Sequence, residues 1–475
     1  MLLVLQAAPL VVLIIVLARG RGGPLAPVAA ALALAVPAAA VSLPAGTALL
    51  PFLGIEALRG AWLALAPAAI TAGGLVFHEA VSTADGARAE DGPRSHARLF
   101  TAVFLLGPFF ETVTGFGIGV VFALSAMRRL DVPPPAAAAL ALLSQVLIPW
   151  GALGPGTLLG AALAGVDLRA FGAWTSAASA LWLLLLLPLF WRLAAEAGLG
   201  GTARERLADA ATMAVLAALL IGANLVATVE IAGLVALSPP LLARLWAEQG
   251  GADARARRAA LPYVALALLL LATRLVPPLS AALTGVAVLR PFPELPGIAL
   301  LHHPATMMLA VSLSVLARRP EPGQALARAA ARARMPVLLM LLYVVFARWL
   351  GASGAAASLA RALADAAGPS VLPFVTPVLG AAGGFFTGTN VASNSILMPI
   401  QAALAGSQGF PHAFLPALQN FAGSALCILA PMRIAATAAL AADGTTEQAL
   451  YRRLWWTGAA ALASAGFWVA VLKGA

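Results

Sequence analysis

Residues 379–399 read LGAAGGFFTGTNVASNSILMP. This is a neutral polar run inside a strongly apolar part of the chain. Thr387, Thr389, Asn390, Ser393, Asn394 and Ser395 fall within nine positions, beside Gly383, Gly384 and Gly388, and Pro399 closes the run. The water-facing loops of this chain look different, because they carry arginine. A neutral Ser/Thr/Asn/Gly cluster between hydrophobic segments predicts broken backbone at membrane depth, which is tolerated only where it is buried in protein or lines a cavity. Residues 105–119, LLGPFFETVTGFGIG, form a second such stretch. Gly107, Phe109 and Phe110 match Gly383, Phe385 and Phe386 in spacing, and a polar, glycine-rich tip follows in both places.

Composition sets the class around these two tips. The 475 residues are 61% hydrophobic and 10% charged, with a mean hydropathy of +0.94, whereas a soluble domain carries about 25% charged residues. Many apolar runs approach the roughly 20 residues that span a bilayer. The fold class expected is an all-α polytopic membrane protein with about 12–14 transmembrane segments, uncertain by a few residues at each end. Two halves are expected, 1–207 with the tip motif at 107–119 and 208–475 with the tip motif at 383–399. Interrupted segments in both halves point to a secondary transporter built from structural repeats, each with a re-entrant or broken-helix tip; two unrelated kinked helices are the alternative. The net charge of +10 follows the arginines of the short loops, the bias of cytoplasmic loops. No basic patch with interleaved aromatics appears, so nucleic acid is not expected as a partner. The loop at 84–98 is mixed in charge and that at 127–131 is short and basic; both carry arginine and the positive-inside bias places both inside. The stretch 99–126 between them is then two thin spans or a re-entrant hairpin, and its glycines and Pro108 favour the hairpin or a broken helix. The apolar N-terminus carries its arginines, Arg19 and Arg21, after the apolar run, and is read as a first helix beginning outside rather than a signal peptide.

Few residues in the apolar stretches can carry chemistry. Glu111, in GPFFETVTGFG, is a carboxylate with no basic neighbour in sequence. An ionisable group in a membrane segment is a functional candidate by default, here for proton coupling; the competing reading is a structural carboxyl bonded to backbone amides of its own hairpin. Thr114, Gly115, Phe116 and Gly117 at the first tip, and Thr387, Gly388, Thr389, Asn390, Ser393 and Asn394 at the second, are the candidates for binding a small polar solute. Half-helix N-termini offer free N–H groups and a positive dipole end to a carboxylate, and hydroxyls and amides add donors and acceptors. Helix capping by the same side chains is the alternative. Asn224 and Glu230 form a second intramembrane polar pair, with Glu230 the reserve candidate for proton coupling. Gln145 and the turn 150–156, WGALGPG, suggest a further irregular segment or a simple kink. Gln419, Asn420 and Ser424 follow the second tip and could face it. Arg274 is read as snorkelling to the interface.

Enzyme and metal signals are weak. His78-Glu79 lacks the second histidine of HExxH, and neither a Walker A nor a G-x-S-x-G sequence occurs. Cys427 is the only cysteine, so an intrachain disulfide and a cysteine metal cluster are out of reach. No metal and no cofactor are expected, and without a nucleotide-binding segment a gradient must supply the energy.

GPFFETVTGFGIGVVFALSAMRRL resembles a hallmark stretch of the lactate permease family, and SQVLIPWGALGPGTLLGAALAGVD resembles the segment that follows it there. GFFTGTNVASNSILMPIQ is similar to that family's late Thr-Gly-Ser-Asp stretch, and the Asn224–Glu230 element is similar to one lying between them. The resemblance implies a proton-linked symporter of L-lactate and related short 2-hydroxymonocarboxylates (glycolate, D-lactate), multi-pass in a bacterial inner membrane. Its partners would be the small carboxylate, the proton and the lipid bilayer, with a homodimer by analogy to elevator-type transporters. It carries over Glu111, Thr114, Gly115, Phe116 and Gly117 from the first motif and Thr387, Gly388, Ser393 and Asn394 from the second. Asn390 stands where the family usually has Asp. The family's lysine before the late proline is absent, with Cys427 and Ile428 near its place before Pro431. These departures leave a sodium- or proton-coupled transporter of a different small organic anion as the alternative.

Overall fold

The computed structural model describes residues 2–19, 23–82, 94–115, 117–249, 254–405, 409–441 and 444–474, with the backbone alone at 248–249 and 254–260. Most of the loop expected at 84–98, and Phe116, lie outside the described residues.

Leu- and Ala-rich runs form helices here because lipid offers backbone amides no other partner. Among the described residues eleven helices are long and apolar enough to cross a membrane. They become twelve if Leu261–Leu275 and Pro277–Gly285, bent by 87°, count as one span. The chain is a multi-pass membrane protein at the low end of the expected number of segments, for a structural reason. The apolar stretch near 24–42 yields the 17-residue helix Ala26–Ser42, and that near 298–317 the 13-residue helix Pro304–Leu316. Ahead of the latter, Val288–Leu289 and Ile298–Ala299 pair as a two-residue antiparallel ribbon, the one departure from an all-helical reading among the described residues. Large apolar side chains such as Leu50 (79% exposed) and Val226 (77%) stand on the outer surface, as a lipid-facing belt requires.

Two long helices, Leu49–Val81 and Pro322–Ala352, run antiparallel against each other. Gly60 allows the approach, since a Cβ there would lie 3.0 Å from the Val345 backbone. Each end of the pair is pinned by charge. Glu56 binds Arg59 and Arg348, and Arg59 also reaches Glu294. Glu79 binds Arg328 and Arg332. In both clusters the buried carboxylate is paired with guanidinium groups, which offsets the cost of taking its charge out of water.

The helix Ala203–Val226 is docked by a third charged group. Asp209, fully buried, sits 2.7 Å from His96 Nε2 and accepts from Trp191 Nε1 at 3.1 Å and Arg244 Nη2 at 3.3 Å. Around these groups the main core gathers Phe100, Phe104, Phe190, Trp182, Phe414 and Phe421, which enclose the inner helices that carry the tips.

Candidate functional site

The first tip is a hairpin of helix. The segment His96–Thr114 enters, and its last part, Gly107–Thr114, stops at Gly115 (φ 71°) and Gly117 (φ 78°). Ile118–Arg129 then returns beside it. A Cβ on Gly119 would lie 2.5 Å from the Gly107 carbonyl oxygen, so only glycine lets the two arms close. The start of the returning arm has free amides, and Glu111 takes them: its Oε1 accepts from Gly117 N at 3.2 Å and its Oε2 from Gly119 N at 3.1 Å. Glu111 is buried, and Gln145 Nε2 approaches the same Oε2 at 3.4 Å. The structural alternative raised for this carboxylate is therefore part of the geometry.

The WGALGPG turn is more than a kink. Residues Ile148–Leu153 form a tight turn in which Gly151 is extended and Ala152 (φ 49°) and Leu153 (φ 62°) are left-handed. Left-handed non-glycine residues cost on the order of 1 kcal/mol or more each, and they persist because the turn is wedged in place. A Cβ on Gly115 would meet Ala152 Cβ at 2.5 Å, which fixes the first tip against this turn. The helix Pro155–Ala164 leaves the turn toward the second tip.

The second tip is also a helix hairpin. The segment Ala355–Thr387, interrupted at Gly368, ends at Gly388 (φ 68°), and Asn390–Ala405 returns. Thr387 donates to Gly383 O, and Thr389 Oγ1 caps the returning helix by accepting from Ala392 N. Gly156 and Gly160, one turn apart, admit the tip. A Cβ at either would come within 2.9 Å or 2.8 Å of the Asn390 or Asn394 amide nitrogen. Asn394 Nδ2 donates to Gly156 O at 2.9 Å. Asn390 Nδ2 and Asn394 Nδ2 both donate to Asn420 Oδ1, at 2.9 and 2.8 Å. Asn420 Nδ2 in turn donates to Thr157 Oγ1 and Thr175 Oγ1. Ser393 is buried between Gly380 O and Gln419 Nε2, away from open space.

A cavity of about 1100 Å³ opens between the tips and the outer helices. Glu111, Gly115, Gly151 and Gly156 line it from the first half; Phe386, Thr387, Thr389 and Asn390 line it from the second. Thr71 and Tyr343, on the two long antiparallel helices, close the opposite wall. Its charged lining groups among the described residues are Glu111, Arg433 and Glu447. Arg433 joins the two tips: Nε donates to Gly388 O at 2.9 Å, and Nη1 donates to Gln145 Oε1 at 2.9 Å. A chain of contacts therefore runs from the second tip through Arg433 and Gln145 to Glu111.

The sequence-predicted residues divide accordingly. Glu111, Gly115, Thr387, Thr389 and Asn390 line one cavity. Gly117 and Gly388 act through backbone groups at its edge. Thr114 is buried and donates to Phe110 O within its own helix. Ser393 and Asn394 lie behind the tip and do not line the cavity, and neither does Glu230. Glu230 stands in the first turn of Val229–Gln249, with its Oε2 unpartnered among the described residues. Asn224 accepts from Trp150 Nε1 at 3.4 Å and donates to Leu220 O, so it braces the tight turn. Arg274 does not snorkel freely, since its Nη2 donates to His302 O at 2.8 Å. Gln419 and Asn420 face the second tip as expected, while Ser424 bonds within its own helix. Two features escape a reading confined to the tips. Arg433 is a cation two residues after Pro431, near the place left empty by the absent lysine. Gly156-x-x-x-Gly160, a small-residue pair at helix spacing, marks the close approach to the second tip.

Known proteins place the chain further. The family model described as L-lactate permease matches residues 293–456, the part that holds the second tip and Arg433. No curated protein matches the chain. Among solved structures, the crystal structure of the Alcanivorax borkumensis YdaH transporter, described as having an unusual topology, is similar in fold. It has a TM-score of 0.50 and 16% identity, with 93% of this chain and 96% of that one covered. The family match covers 164 of the 475 residues, the segment that carries one of the two tips, and over that segment the chain is similar to the L-lactate permease family.

Proposed function

We propose that this protein is a secondary active transporter that carries L-lactate and related short 2-hydroxymonocarboxylates, glycolate and D-lactate among them, together with a proton across a bacterial inner membrane. The observation that carries the proposal is the chain Arg433–Gln145–Glu111 on the wall of a cavity between two broken helices. A guanidinium group is suited to a carboxylate, which it holds through paired N–H donors. Glu111 accepts three N–H groups, from Gly117, Gly119 and Gln145. Protonation would remove acceptor capacity from that set and disturb Gln145. Because the Gln145 amide touches both ends, a proton on Glu111 and an anion on Arg433 would influence each other, and such coupling is reciprocal. The tips would form corresponding parts of two repeats.

The test is uptake of labelled L-lactate into proteoliposomes with and without an inward proton gradient. Gradient-driven accumulation should be competed by glycolate and D-lactate and not by succinate. Glu111→Gln should abolish uphill uptake while lactate exchange persists; uphill uptake equal to wild type would sink the assignment of the proton to Glu111. The second reading, a sodium- or proton-coupled carrier of another small organic anion, is favoured by Asn390, which stands where the family that the chain resembles usually has Asp. Sodium varied at fixed pH separates the two.

A further inference from the structure

Asn390 is 6% exposed and lines the cavity, yet its Oδ1 has no hydrogen-bond partner among the described residues. The neighbouring groups fix which way its amide points. Thr157 Oγ1 donates to Pro149 O at 2.6 Å, and Thr175 Oγ1 donates to Phe171 O at 2.8 Å. Each hydroxyl has one proton, and these short bonds use it. Toward Asn420 both hydroxyls can therefore only accept, so the nitrogen of Asn420 must face them, at 3.2 and 3.1 Å. Its oxygen then faces the second tip, where Asn390 and Asn394 must present nitrogen, at 2.9 and 2.8 Å. Asn394 is fixed a second time by Gly156 O. Asn390 is left with its oxygen as a bare acceptor in a site where a buried, unsatisfied acceptor costs about 1–3 kcal/mol.

We infer that Asn390 selects for substrates bearing a hydroxyl group, its Oδ1 accepting the hydrogen bond of a 2-hydroxyl on a carboxylate held elsewhere in the same cavity. This rests on the carboxylate-transport reading above and deepens it by naming the group that separates hydroxy acids from their analogues. A plain carboxylic acid such as propionate leaves the acceptor bare. A 2-keto acid such as pyruvate sets an acceptor against an acceptor. A hydroxy acid satisfies it. The selectivity originates two helices away, in the two threonines that orient Asn420.

The experiment compares uptake of labelled L-lactate and labelled propionate, with pyruvate as competitor, in proteoliposomes of the full chain. Wild type should favour L-lactate over propionate by about 10- to 100-fold in apparent affinity, the equivalent of one buried hydrogen bond. Asn390→Leu should bring the two substrates within about 3-fold, by weakening lactate while propionate uptake persists; persistence of propionate uptake shows that the variant is folded and still binds carboxylate. Asn390→Ala, which only leaves space, is the companion should the leucine variant fail to insert. A variant that transports propionate and still prefers lactate as strongly as wild type overturns the assignment. Wild type that transports both equally also overturns it, while leaving the transport reading intact. Wild type that accumulates neither under any proton or sodium gradient brings down the transport reading, and the selection with it.

Discussion

Replacing Asn420 by leucine tests whether the second tip is held by one amide hub. The two side chains have the same number of heavy atoms and the same branching, and leucine is the bulkier, so the change removes polarity without opening a cavity. Four hydrogen bonds disappear, those with Asn390, Asn394, Thr157 and Thr175. Their consequences differ. Both threonine hydroxyls keep their bonds to backbone carbonyls, and Asn394 Nδ2 keeps Gly156 O. The Asn390 amide loses its acceptor entirely, at about 1–3 kcal/mol, and the half-lost Asn394 amide adds about 1 kcal/mol. A second route takes the membrane-protein average of roughly 0.6 kcal/mol for each interhelix bond, which over four bonds gives about 2 kcal/mol. The two agree on a loss of about 2–4 kcal/mol. Equilibrium unfolding in mixed micelles reads it directly. Ser395→Ala is the comparison, because Ser395 is equally buried, on the returning helix of the second tip, but bonds only to Val391 O of its own turn; it should cost less than about 0.5 kcal/mol. If Asn420→Leu is no more destabilising than Ser395→Ala, the hub does not hold the tip and the orientation argument for Asn390 fails with it.

Gly384→Ala should reduce stability by about 1–3 kcal/mol or prevent insertion, since its Cβ would overlap the Gly423 backbone; normal expression and melting would contradict the close helix approach. Asp209→Ala should cost about 3–5 kcal/mol in the same unfolding assay, because Arg244 and His96 lose a fully buried partner. Arg328→Gln should cost only about 0–1 kcal/mol, since Arg328 is 55% exposed and Glu79 keeps Arg332; a larger loss would show the cluster to be drier than its exposure indicates. Gln145→Leu should flatten the pH dependence of L-lactate binding while binding persists at low pH, as measured on purified protein; an unchanged profile would remove Gln145 from the coupling.

The class of the fold and the location of the tips were legible because their physics is local. A neutral polar run at membrane depth has few structural solutions, and Thr387–Asn394 and Glu111–Gly117 announced both breaks. Contacts between distant segments were less legible. Glu111 reads as an isolated charge in sequence, yet the amides of Gly117 and Gly119 surround it, because the hairpin folds its own return helix onto it. Arg433 looks like an ordinary arginine after a proline. Its importance comes from Gln145, 288 positions earlier in the chain. Ser393 and Asn394 have the composition of ligand-binding residues but face Gly380, Gly156 and Asn420. On one side of a helix a polar residue lines a cavity, and on the other it binds a neighbouring helix; in a stretch this rich in both kinds, periodicity does not separate them.

The charged pins on the two long antiparallel helices have a further consequence. Glu56 and Glu79 are 23 positions apart on one helix, which at about 1.5 Å per residue is roughly 35 Å. The hydrocarbon layer of a bilayer is about 30 Å thick. Each ion cluster therefore falls close to one boundary of the hydrocarbon when the pair stands slightly tilted. A thicker bilayer would draw one of the clusters into lipid, and a thinner one would leave apolar helix in the headgroups; either mismatch is relieved by tilting this pair. Since the pair forms one wall of the cavity, acyl-chain length becomes a control on the site itself. Transport rates measured in short-, medium- and long-chain lipids should pass through an optimum at the thickness these two clusters define.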